Sequence, residues 1–566
     1  MSLIGTLNVG KSALATHQAA LQTTGNNIAN AGNADYTRQT ARISPTRDQQ
    51  IRPGVFVGTG VNLTGIQRHI DEALEGRIRG SISDNDAAST TEQWIGRVES
   101  LLNELGDDDL STQLSTFFNS WSNLANKPQD IGLRQVVVQN GDTVASAMQG
   151  LRGRLGALQA DVDARLAAQV NDANGLSEQI ADLNTEIVLS EGGGAGQANG
   201  LRDQHDGLMK QLSQLLDVRA VEQQNGTINV YVGSDPLILN GESRGLAMKN
   251  ETVDGKVTGV VVFKQNDGNV RMTSGQIGAL AEVRGQIGSY VDKVDALAGN
   301  IIFELNKVHS AGQGLEGLAN ANATSIVTDS TVALNDDASG LEFKPNNGSF
   351  VVHVKNKASG LVTSTLVEVD LDGLNGDDTT LDDLTASLTG IDNISAINAS
   401  GLLKISADSK DVEISFSQDS SGVLAALGVN SFYSGSNASD IALNGAIKAN
   451  PSLLAAAKNG EKGDNQTALA IAALESMKLP SLGGSSLKEN YQSLVNEIGV
   501  AASDAKTNAE ATAIVKETLL AQREALTGVS LDEEAINLIR QQRAFQGASR
   551  LIAAVDELMQ QILALV

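Results

Sequence analysis

Two apolar stripes with a seven-residue period, one at each end of the 566-residue chain, constrain the fold most. The C-terminal stripe consists of Leu531, Leu538, Phe545, Ile552, Met559 and Val566, and the N-terminal stripe consists of Leu7, Leu14, Leu21 and Ile28. Such a repeat is typical of helices that pack side by side in a coiled coil. Because an isolated helix cannot bury a stripe of its own, each terminal helix requires a partner. The sequence therefore predicts that these ten residues form an assembly interface.

The core of an ordinary helix bundle would show the same repeat. The repeat alone does not distinguish such a core from an assembly interface. The position of both stripes at the extreme ends favours assembly, since chain ends usually fray unless something holds them. We expect both helices to stay unpaired in the free chain. They would then bury their stripes against each other and against neighbouring subunits, which couples folding to assembly.

The apolar period changes from helical on the flanks to strand-like in the middle of the chain. Helical spacing recurs in residues 95–105, 151–187, 287–305 and 511–520. Residues 227–232 and 349–354 alternate with period two, and Asn-Gly and Asp-Gly pairs mark turns. We predict a multidomain α+β fold with a long α-helical coiled-coil bundle formed by both chain termini and with inserted β-rich outer domains.

Composition and pattern together predict four domains. They are a terminal coiled-coil assembly domain (1–40 with 525–566), a helical rod-like domain (41–200 with 275–320 and 446–524), a β-rich domain (201–274) and an acidic β-rich inserted outer domain (321–445). Residues 326–444 hold 17 Asp and Glu against 5 Lys, and Arg is absent from 285 to 522. The glycine-rich residues 190–196 predict a flexible joint.

Charge and cysteine usage exclude several classes of function. The chain carries 67 Asp and Glu against 41 Lys and Arg, a net charge of -26, which repels nucleic acid and anionic membranes. The absence of cysteine excludes disulfides, thiolate catalysis and zinc-thiolate sites. The N-terminus lacks the basic leader and apolar run of a cleaved signal peptide, and no stretch reaches the roughly 18 to 20 apolar residues of a membrane span.

Two segments match the sequence patterns of catalytic motifs, but the secondary structure predicted around each segment does not fit the motif. Residues 5–12 fit the phosphate-loop pattern, yet Leu7 belongs to the helical stripe, whereas a working phosphate loop follows a buried strand. Residues 241–245 place Ser243 in a nucleophile-elbow pattern, but apolar strand-like segments on both sides predict a hairpin turn. His205 is the nearest histidine in sequence, and its charged neighbours predict a solvated helix face.

No site for a metal ion or a cofactor is predicted. The five histidines are not spaced as metal ligands on a helix, and acidic runs such as 107–109 and 370–372 lack the spacing of a calcium loop. Solvated acidic loops are the favoured interpretation. We therefore predict that the chain is not an enzyme and has no catalytic, cofactor-binding or metal-binding residues.

Both ends of the chain resemble the flagellar rod, hook and hook-associated family of axial proteins. The N-terminal motif consists of Asn27, Ile28, Ala29, Asn30, Tyr36, Arg38 and Gln39, and the C-terminal match runs from 528 to 550. Ser530 and Glu533 have capping-box spacing, which predicts that the last helix begins there. The chain length and the segments 199–204, 431–435 and 440–444 point, within the family, to a hook-associated junction subunit.

The resemblance implies a structural subunit of the bacterial flagellum that joins hook to filament. It implies an extracellular location, reached by type III export without a cleaved signal peptide. The implied partners are further copies in a homo-oligomeric ring, the flagellar hook protein, the next hook-associated junction protein and an export chaperone, with neither nucleic acid nor membrane. A flagellin-like filament subunit is the main alternative, and an exported enzyme displayed on axial termini is a weaker one.

Overall fold

The computed structural model describes residues 3–102, 109–192, 198–253 and 256–564. The chain forms two compact units. Unit 1 comprises residues 1–94, 162–283 and 503–566, and unit 2 comprises residues 95–161 and 284–502. The predicted multidomain α+β class with long terminal helices is confirmed.

The long helices occupy both flanks of the chain, as the apolar spacing predicts, and short helices also occur in the middle. They are α1 (Leu3–Ala29), α2 (Glu72–Leu102), α3 (Leu110–Asn126), α4 (Ile131–Glu191), α5 (Asn199–Leu215), α6 (Gly275–Ser310), α7 (Leu381–Thr389), α8 (Val423–Leu427), α9 (Gly445–Ala449), α10 (Gln466–Ala473), α11 (Leu487–Thr527) and α12 (Leu531–Ala564). The start of α12 agrees with the predicted cap, because Ser530 Oγ accepts a hydrogen bond from Glu533 N at 3.4 Å. The predicted joint at 190–196 is partly helical, since α4 continues to Glu191, and residues 193–197 lie outside the described residues.

Strands lie between these helices. They are β1 (Gln39–Pro45), β2 (Gln49–Arg52), β3 (Val55–Val57), β4 (Val61–Arg68), β5 (Val218–Glu222), β6 (Ile228–Val232), β7 (Asp235–Leu239), β8 (Glu242–Ser243), β9 (Leu246–Val253), β10 (Lys256–Phe263), β11 (Asn320–Asn322), β12 (Gly348–Asn356), β13 (Val362–Val369), β14 (Ile394–Ala399), β15 (Leu402–Ala407), β16 (Val412–Ser417), β17 (Tyr433–Ser434) and β18 (Ala442–Leu443). Period-two alternation thus identified β6 and β12 correctly.

Unit 1 combines helices with antiparallel sheets. Strands β1 and β4 pair, β2 and β3 form a hairpin, β5 to β8 form a four-stranded sheet in sequential order, and β9 pairs with β10. Leu74, Ile78 and Ile82 of α2 form a buried cluster against Leu519 of α11. Their spacing of four residues places all three on one face of α2, which therefore packs inward.

The turn between β7 and β8 shows why an Asn-Gly pair correctly predicts a tight turn. Asn240 and Gly241 both have positive φ, 54° and 81°, and connect the paired residues Leu239 and Glu242. Two residues with positive φ match the twist of the flanking strands, so Asn-Gly is favoured at this position. The predicted turn at 241–245 is therefore shifted, because Ser243 lies in β8 rather than in the turn.

Unit 2 has an aromatic core around α3. The buried Trp121 ring lies 5.6 Å from the Phe432 ring and 6.3 Å from the His309 ring, measured between centroids. His309 Nδ1 lies 2.8 Å from Asn430 O, and Ala455 N donates to His309 Nε2 at 3.0 Å. A ring that accepts at Nε2 is neutral and donates from Nδ1. Complete burial lowers the pKa of His309 to about 4.

The acidic segment of unit 2 folds as a β-rich module. One sheet has the order β13-β12-β16, a second has the order β11-β15-β14, and α7 packs on β14. The module has its own core, which includes Phe350, Val352, Leu384, Leu388, Leu403, Ile414 and Phe416. Helix α7 begins with a capping box in which the side chains of Thr380 and Asp383 bind each other's backbone N–H.

The predicted domain boundaries stay predictions, because a division into two units does not test a division into four. No helix among the described residues is long and apolar enough to cross a membrane.

Candidate assembly interface

The two terminal helices, α1 and α12, pack against each other in antiparallel orientation. Gly10 lies next to Ile552, and His17 Nδ1 lies 2.7 Å from Gln541 Oε1. A Cβ atom at Gly10 would lie 2.7 Å from Ile552 Cγ1, so only glycine permits the helices to approach this closely without rearrangement. Both chain ends are therefore held in one helix pair within the single chain, so the expectation that the two helices stay unpaired in the free chain was wrong.

The buried face of α1 is small and polar rather than rich in leucine. Its buried residues are Gly10, Thr16, Ala20, Thr23, Thr24 and Asn27. The predicted stripe residues Leu7, Leu14, Leu21 and Ile28 are half-buried beside this face. On α12, Ala548 and Val555 are buried, Leu538, Phe545, Ile552 and Met559 are half-buried, and Leu531 is exposed. Val566 lies outside the described residues.

Asn27 is the centre of a hydrogen-bonded cluster that joins the two ends of the chain. Its Nδ2 donates to Gln39 O at 2.8 Å and to Glu534 Oε2 at 3.0 Å. Its Oδ1 accepts from Tyr36 Oη at 2.7 Å and from Gln39 N at 3.0 Å. An asparagine amide offers two donors and two acceptor lone pairs, and all four are used here. The 1% exposed side chain of Asn27 is thus fully satisfied without water.

Glu534 carries the C-terminal half of this cluster. Arg38 Nε donates to Glu534 Oε1 at 2.9 Å, and Arg38 Nη2 lies 2.8 Å from the same oxygen. Arg38 Nη1 lies 2.9 Å from Glu533 Oε2. The Glu534 side chain is only 3% exposed, so its charge requires the partners that Arg38 and Asn27 provide. Three negative side chains, Asp532, Glu533 and Glu534, occupy the first turn of α12, where the helix dipole favours them.

The loop between α1 and β1 is held by further elements of unit 1. Arg523 of α11 donates from Nη1 to Ala34 O at 2.9 Å and from Nε to Glu75 Oε1 of α2 at 2.6 Å. Asp203 of α5 accepts from Thr37 N at 3.4 Å. The loop itself turns at Asn33, whose carbonyl accepts from Tyr36 N at 3.1 Å. The motif loop therefore contacts α5, α11 and α12, and Arg523 links it to α2.

Burial and neighbouring charges shift the pKa of groups around this loop. Burial, together with the carboxylates of Asp203 and Glu534, raises the pKa of Tyr36 to about 12, so its hydroxyl stays protonated and donates to Asn27. Arg68 Nη1 donates to Asp203 Oδ1 at 2.8 Å and to Asp206 Oδ2 at 2.7 Å. Burial raises the pKa of Asp203 in spite of Arg68.

Asp206 behaves in the opposite way. Burial would raise its pKa, but its contacts with the His205 ring and with the Arg68 guanidinium outweigh burial and hold the pKa at about 2. His205 itself is 1% exposed, so the predicted solvated face was wrong. The face of α5 that carries His205 packs against the rest of unit 1. On the same helix Arg202 forms an ion pair with Glu191, and Asp203 forms one with Arg68.

The catalytic motifs do not form catalytic geometry. Residues 5–12 lie inside α1, as predicted, and no strand precedes them among the described residues. Ser243 Oγ and both ring nitrogens of His205 are buried without hydrogen-bond partners in the structure, so the two side chains do not form a nucleophile-base pair.

Acidic side chains come together at one place in the β-rich module of unit 2. The carboxylates of Asp370, Asp372 and Asp378 lie within 4.8 Å of one another, and Asp372 is exposed. Exposed acidic groups are common on a surface with this charge. The prediction of solvated loops without a metal ion stays a prediction, and residues 107 and 108 of the other acidic run lie outside the described residues.

Models of flagellar protein families match both ends and much of the helical part of the chain. The model of the flagellar hook-associated protein FlgK helical domain matches residues 95–323. The C-terminal model of the flagellar basal body rod FlgEFG protein matches 525–565, and the flagella basal body rod protein model matches 7–32.

Relatives match over nearly the whole length. Flagellar hook-associated protein 1 of Salmonella typhimurium is 26% identical over 98% of this chain and 99% of its own length. Flagellar hook-associated protein 1 of Bacillus subtilis is 26% identical over 98% of this chain and 97% of its own length. The chain is thus similar to flagellar hook-associated protein 1 over nearly its whole length.

A solved structure supports the fold of this chain. The flagellar hook junction protein FlgK from Burkholderia pseudomallei has a TM-score of 0.50 at 17% identity and covers 80% of this chain and 100% of the solved chain. This likeness concerns the fold alone.

The structure brings together only part of the predicted hook-associated protein motif. Asn27, Tyr36, Arg38 and Gln39 meet in the cluster, whereas Ile28 is half-buried, Ala29 is exposed, and Asn30 Nδ2 donates to Asn26 O at 2.9 Å within its own helix. As site residues, sequence reasoning missed the partners that lie far away in the chain, namely Glu534, Asp203 and Arg523. Arg523 had one available signal, because it ends the long segment without arginine.

Proposed function

We propose that the chain is a structural subunit that forms the junction between hook and filament of a bacterial flagellum and assembles through its terminal helices. One arrangement carries the proposal. Hydrogen bonds among Asn27, Arg38 and Glu534 join α1 to α12 at one end of the pair, and several large apolar side chains of α12 are exposed to solvent. The matching family models and the similarity to flagellar hook-associated protein 1 support a place in the flagellum.

The outward surface of α12 is unusually apolar for an exposed helix. Its exposed large apolar residues are Leu531, Ile536, Ile539, Leu551, Leu558, Ile562 and Leu563. Leu551, Leu558 and Ile562 are seven and four residues apart, so they share one face of the helix. Exposed apolar surface of this kind marks sites of protein contact. Burying a side chain such as leucine stabilises an interface by about 2 kcal/mol, so contact with neighbouring copies would stabilise the assembly.

The predicted interface residues fit this arrangement. Leu7, Leu14, Leu21 and Ile28 of α1, with Leu538, Phe545, Ile552 and Met559 of α12, are half-buried in the pair. Each of them keeps surface that a neighbouring subunit can cover. The structure describes the two helices as paired, and the proposal adds that this pair becomes part of a ring of copies.

The remaining partners follow from the same role. We infer contact with the hook protein on one side and with the next hook-associated junction protein on the other, and handling by an export chaperone before assembly. We also infer an extracellular location, reached by type III export. The family and the apolar terminal helices support these inferences.

The rival functions have less support. The relatives over the full length are hook-associated proteins, which does not favour a filament subunit. An exported enzyme would require Ser243 as a nucleophile, and Ser243 has no hydrogen-bonded base. We expect Ser243→Ala to leave assembly and swimming unchanged, and a loss of either in a stably folded variant would revive the enzyme hypothesis.

Electron microscopy of a strain that lacks this chain tests the proposed function. We expect intact hooks without filaments and filament protein released into the medium. Expression of the full chain should restore attached filaments. Attached filaments in the absence of the chain would contradict the proposal.

A further inference from the structure

A β-hairpin near the N-terminus projects apolar side chains into solvent. Strands β2 and β3 pair Gln50 with Phe56 and Arg52 with Val55. Phe56 is 60% exposed, Ile51 55% and Val55 40%. Successive strand residues point to opposite faces, so exposure of both Val55 and Phe56 means that the described part of the chain leaves apolar surface uncovered on both faces of the hairpin.

The base of this hairpin is held firmly. We call residues 46–60 the arm. Thr46 Oγ1 and Thr59 Oγ1 lie 2.7 Å apart, and Thr46 Oγ1 donates to Gly60 O at 3.0 Å. Gly60 has a φ of 114°, and a Cβ there would lie 2.6 Å from Ser12 Oγ of α1. The arm thus packs on the terminal helix at its base, while Ile51, Val55 and Phe56 in its outer part stay exposed to solvent.

An arm of this kind needs a covering surface. A two-stranded hairpin on its own is at best marginally stable in water. A β-bulge between Gln50 and Arg52 also interrupts the regular hydrogen bonding between the two strands. An anchored base with an uncovered apolar end is the geometry of a binding element, because the anchor reduces the entropy lost on docking.

Charge indicates what covers the arm. Residues 38–69 contain five arginines and one acidic residue, Asp48, within a chain of net charge -26. Arg38 and Arg68 are bound to carboxylates of their own chain, whereas Arg42, Arg47 and Arg52 are exposed. The surface of another copy is acidic, so it complements the arm in charge and attracts it.

We infer that the arm docks on the acidic surface of a second copy of this chain and extends the contact made by the terminal helices. The anchor on α1 makes the arm continuous with the assembly interface proposed above, and the inference rests on that proposed function. Phe56, Val55 and Ile51 would bury apolar surface at the centre of the contact, and Arg47 and Arg52 would lie at its rim.

Photo-crosslinking in intact flagella tests the inference. Phe56→p-benzoylphenylalanine is introduced in the full chain, and cross-linked products are identified by mass spectrometry after flagella are isolated. Leu374→p-benzoylphenylalanine is a matched background probe, since Leu374 is 61% exposed in the β-rich module. We expect Phe56 to cross-link two copies of the chain, with the attachment point near acidic residues.

Charge reversal sharpens the test. The double substitution Arg47→Glu and Arg52→Glu, added to the Phe56 probe, should lower the yield of cross-linked pairs about tenfold, because like charges then face each other. An unchanged yield would overturn the role of charge. A Phe56 probe that links only to its own chain or to another flagellar protein would overturn the inference.

The same experiment separates the inference from the function on which it rests. If the chain is built into isolated flagella but Phe56 gives no pairs, the arm inference fails and the junction role stands. If the chain is absent from isolated flagella, the proposed function fails, and the inference fails with it.

Discussion

At the scale of single residues, the Asn27 amide links the N-terminal motif to α12. All four of its hydrogen-bonding positions are occupied, by Gln39, Tyr36 and Glu534. Removal of this amide would leave several buried groups without partners, which costs more than the bonds themselves contribute. The stability of the terminal pair should therefore depend strongly on one side chain.

We expect Asn27→Ala to lower the free energy of unfolding of unit 1 by about 3 kcal/mol. Asn30→Ala is the matched control, because the Asn30 amide bonds only to Asn26 in the contacts described, and its loss should change stability by less than about 0.5 kcal/mol. Hydrogen exchange of α1 amides under native conditions measures both. Equal exchange rates in the two variants would show that the cluster does not hold the pair.

The pKa of His309 predicts how unit 2 responds to acid. Its pKa is about 4 in the folded chain and about 6.5 in the unfolded chain. The unfolded chain thus binds a proton first, so stability is complete above pH 6.5 and decreases as pH falls toward 4. The loss approaches about 3 kcal/mol. Denaturation followed by Trp121 fluorescence, in a Trp94→Phe background, measures this dependence.

Two substitutions control the acid experiment. His309→Gln removes the titrating group and should flatten the curve between pH 6.5 and 4. His353→Gln should keep most of the dependence, because His353 is half-buried and contacts only Ser364 and Ser417 in the described hydrogen bonds. A full dependence in the His309 variant would assign the effect to other groups.

At the scale of elements, periodicity predicted which segments are helices and strands. The stripes of α1 and α12, the alternation of β6 and β12, and the cap at Ser530 all correspond to observed elements. Each of these signals is local, since it depends on residues within a few turns. Local patterns therefore give the elements well.

Periodicity did not predict which face of α1 is buried. The Leu stripe is half-buried, and the face toward the interior carries Gly10, Ala20 and threonines instead. Close approach of two helices selects small residues, and apolar character alone does not reveal that. Periodicity also missed Glu534, because its partners Asn27 and Arg38 lie far away in the chain. It missed the burial of His205, which depends on how α5 packs within unit 1.

Deletion of residues 530–566 tests the role of α12. Unit 2 contains no part of this segment, so its thermal unfolding should keep the midpoint of the full chain. The truncated chain should fail to attach filaments in a strain that lacks the full chain. A midpoint lowered by several degrees or normal filaments would contradict the assignment of α12 to assembly.

At the scale of the whole molecule, the central claim is that the apolar surface of α12 is free in the single chain and covered in the flagellum. Leu558 is 49% exposed and lies on that surface. The natural chain has no cysteine, so a single introduced thiol can be labelled without background. This property makes the accessibility of one position directly measurable.

The decisive measurement is the rate of maleimide labelling of Leu558→Cys in the purified chain and in isolated flagella. Leu361→Cys, at a position 68% exposed in the β-rich module, reports on the general access of reagent. We expect Leu558→Cys to react fast in the purified chain and at least about tenfold more slowly in flagella, while Leu361→Cys reacts alike in both. Equally fast labelling of Leu558→Cys in both states would contradict the account.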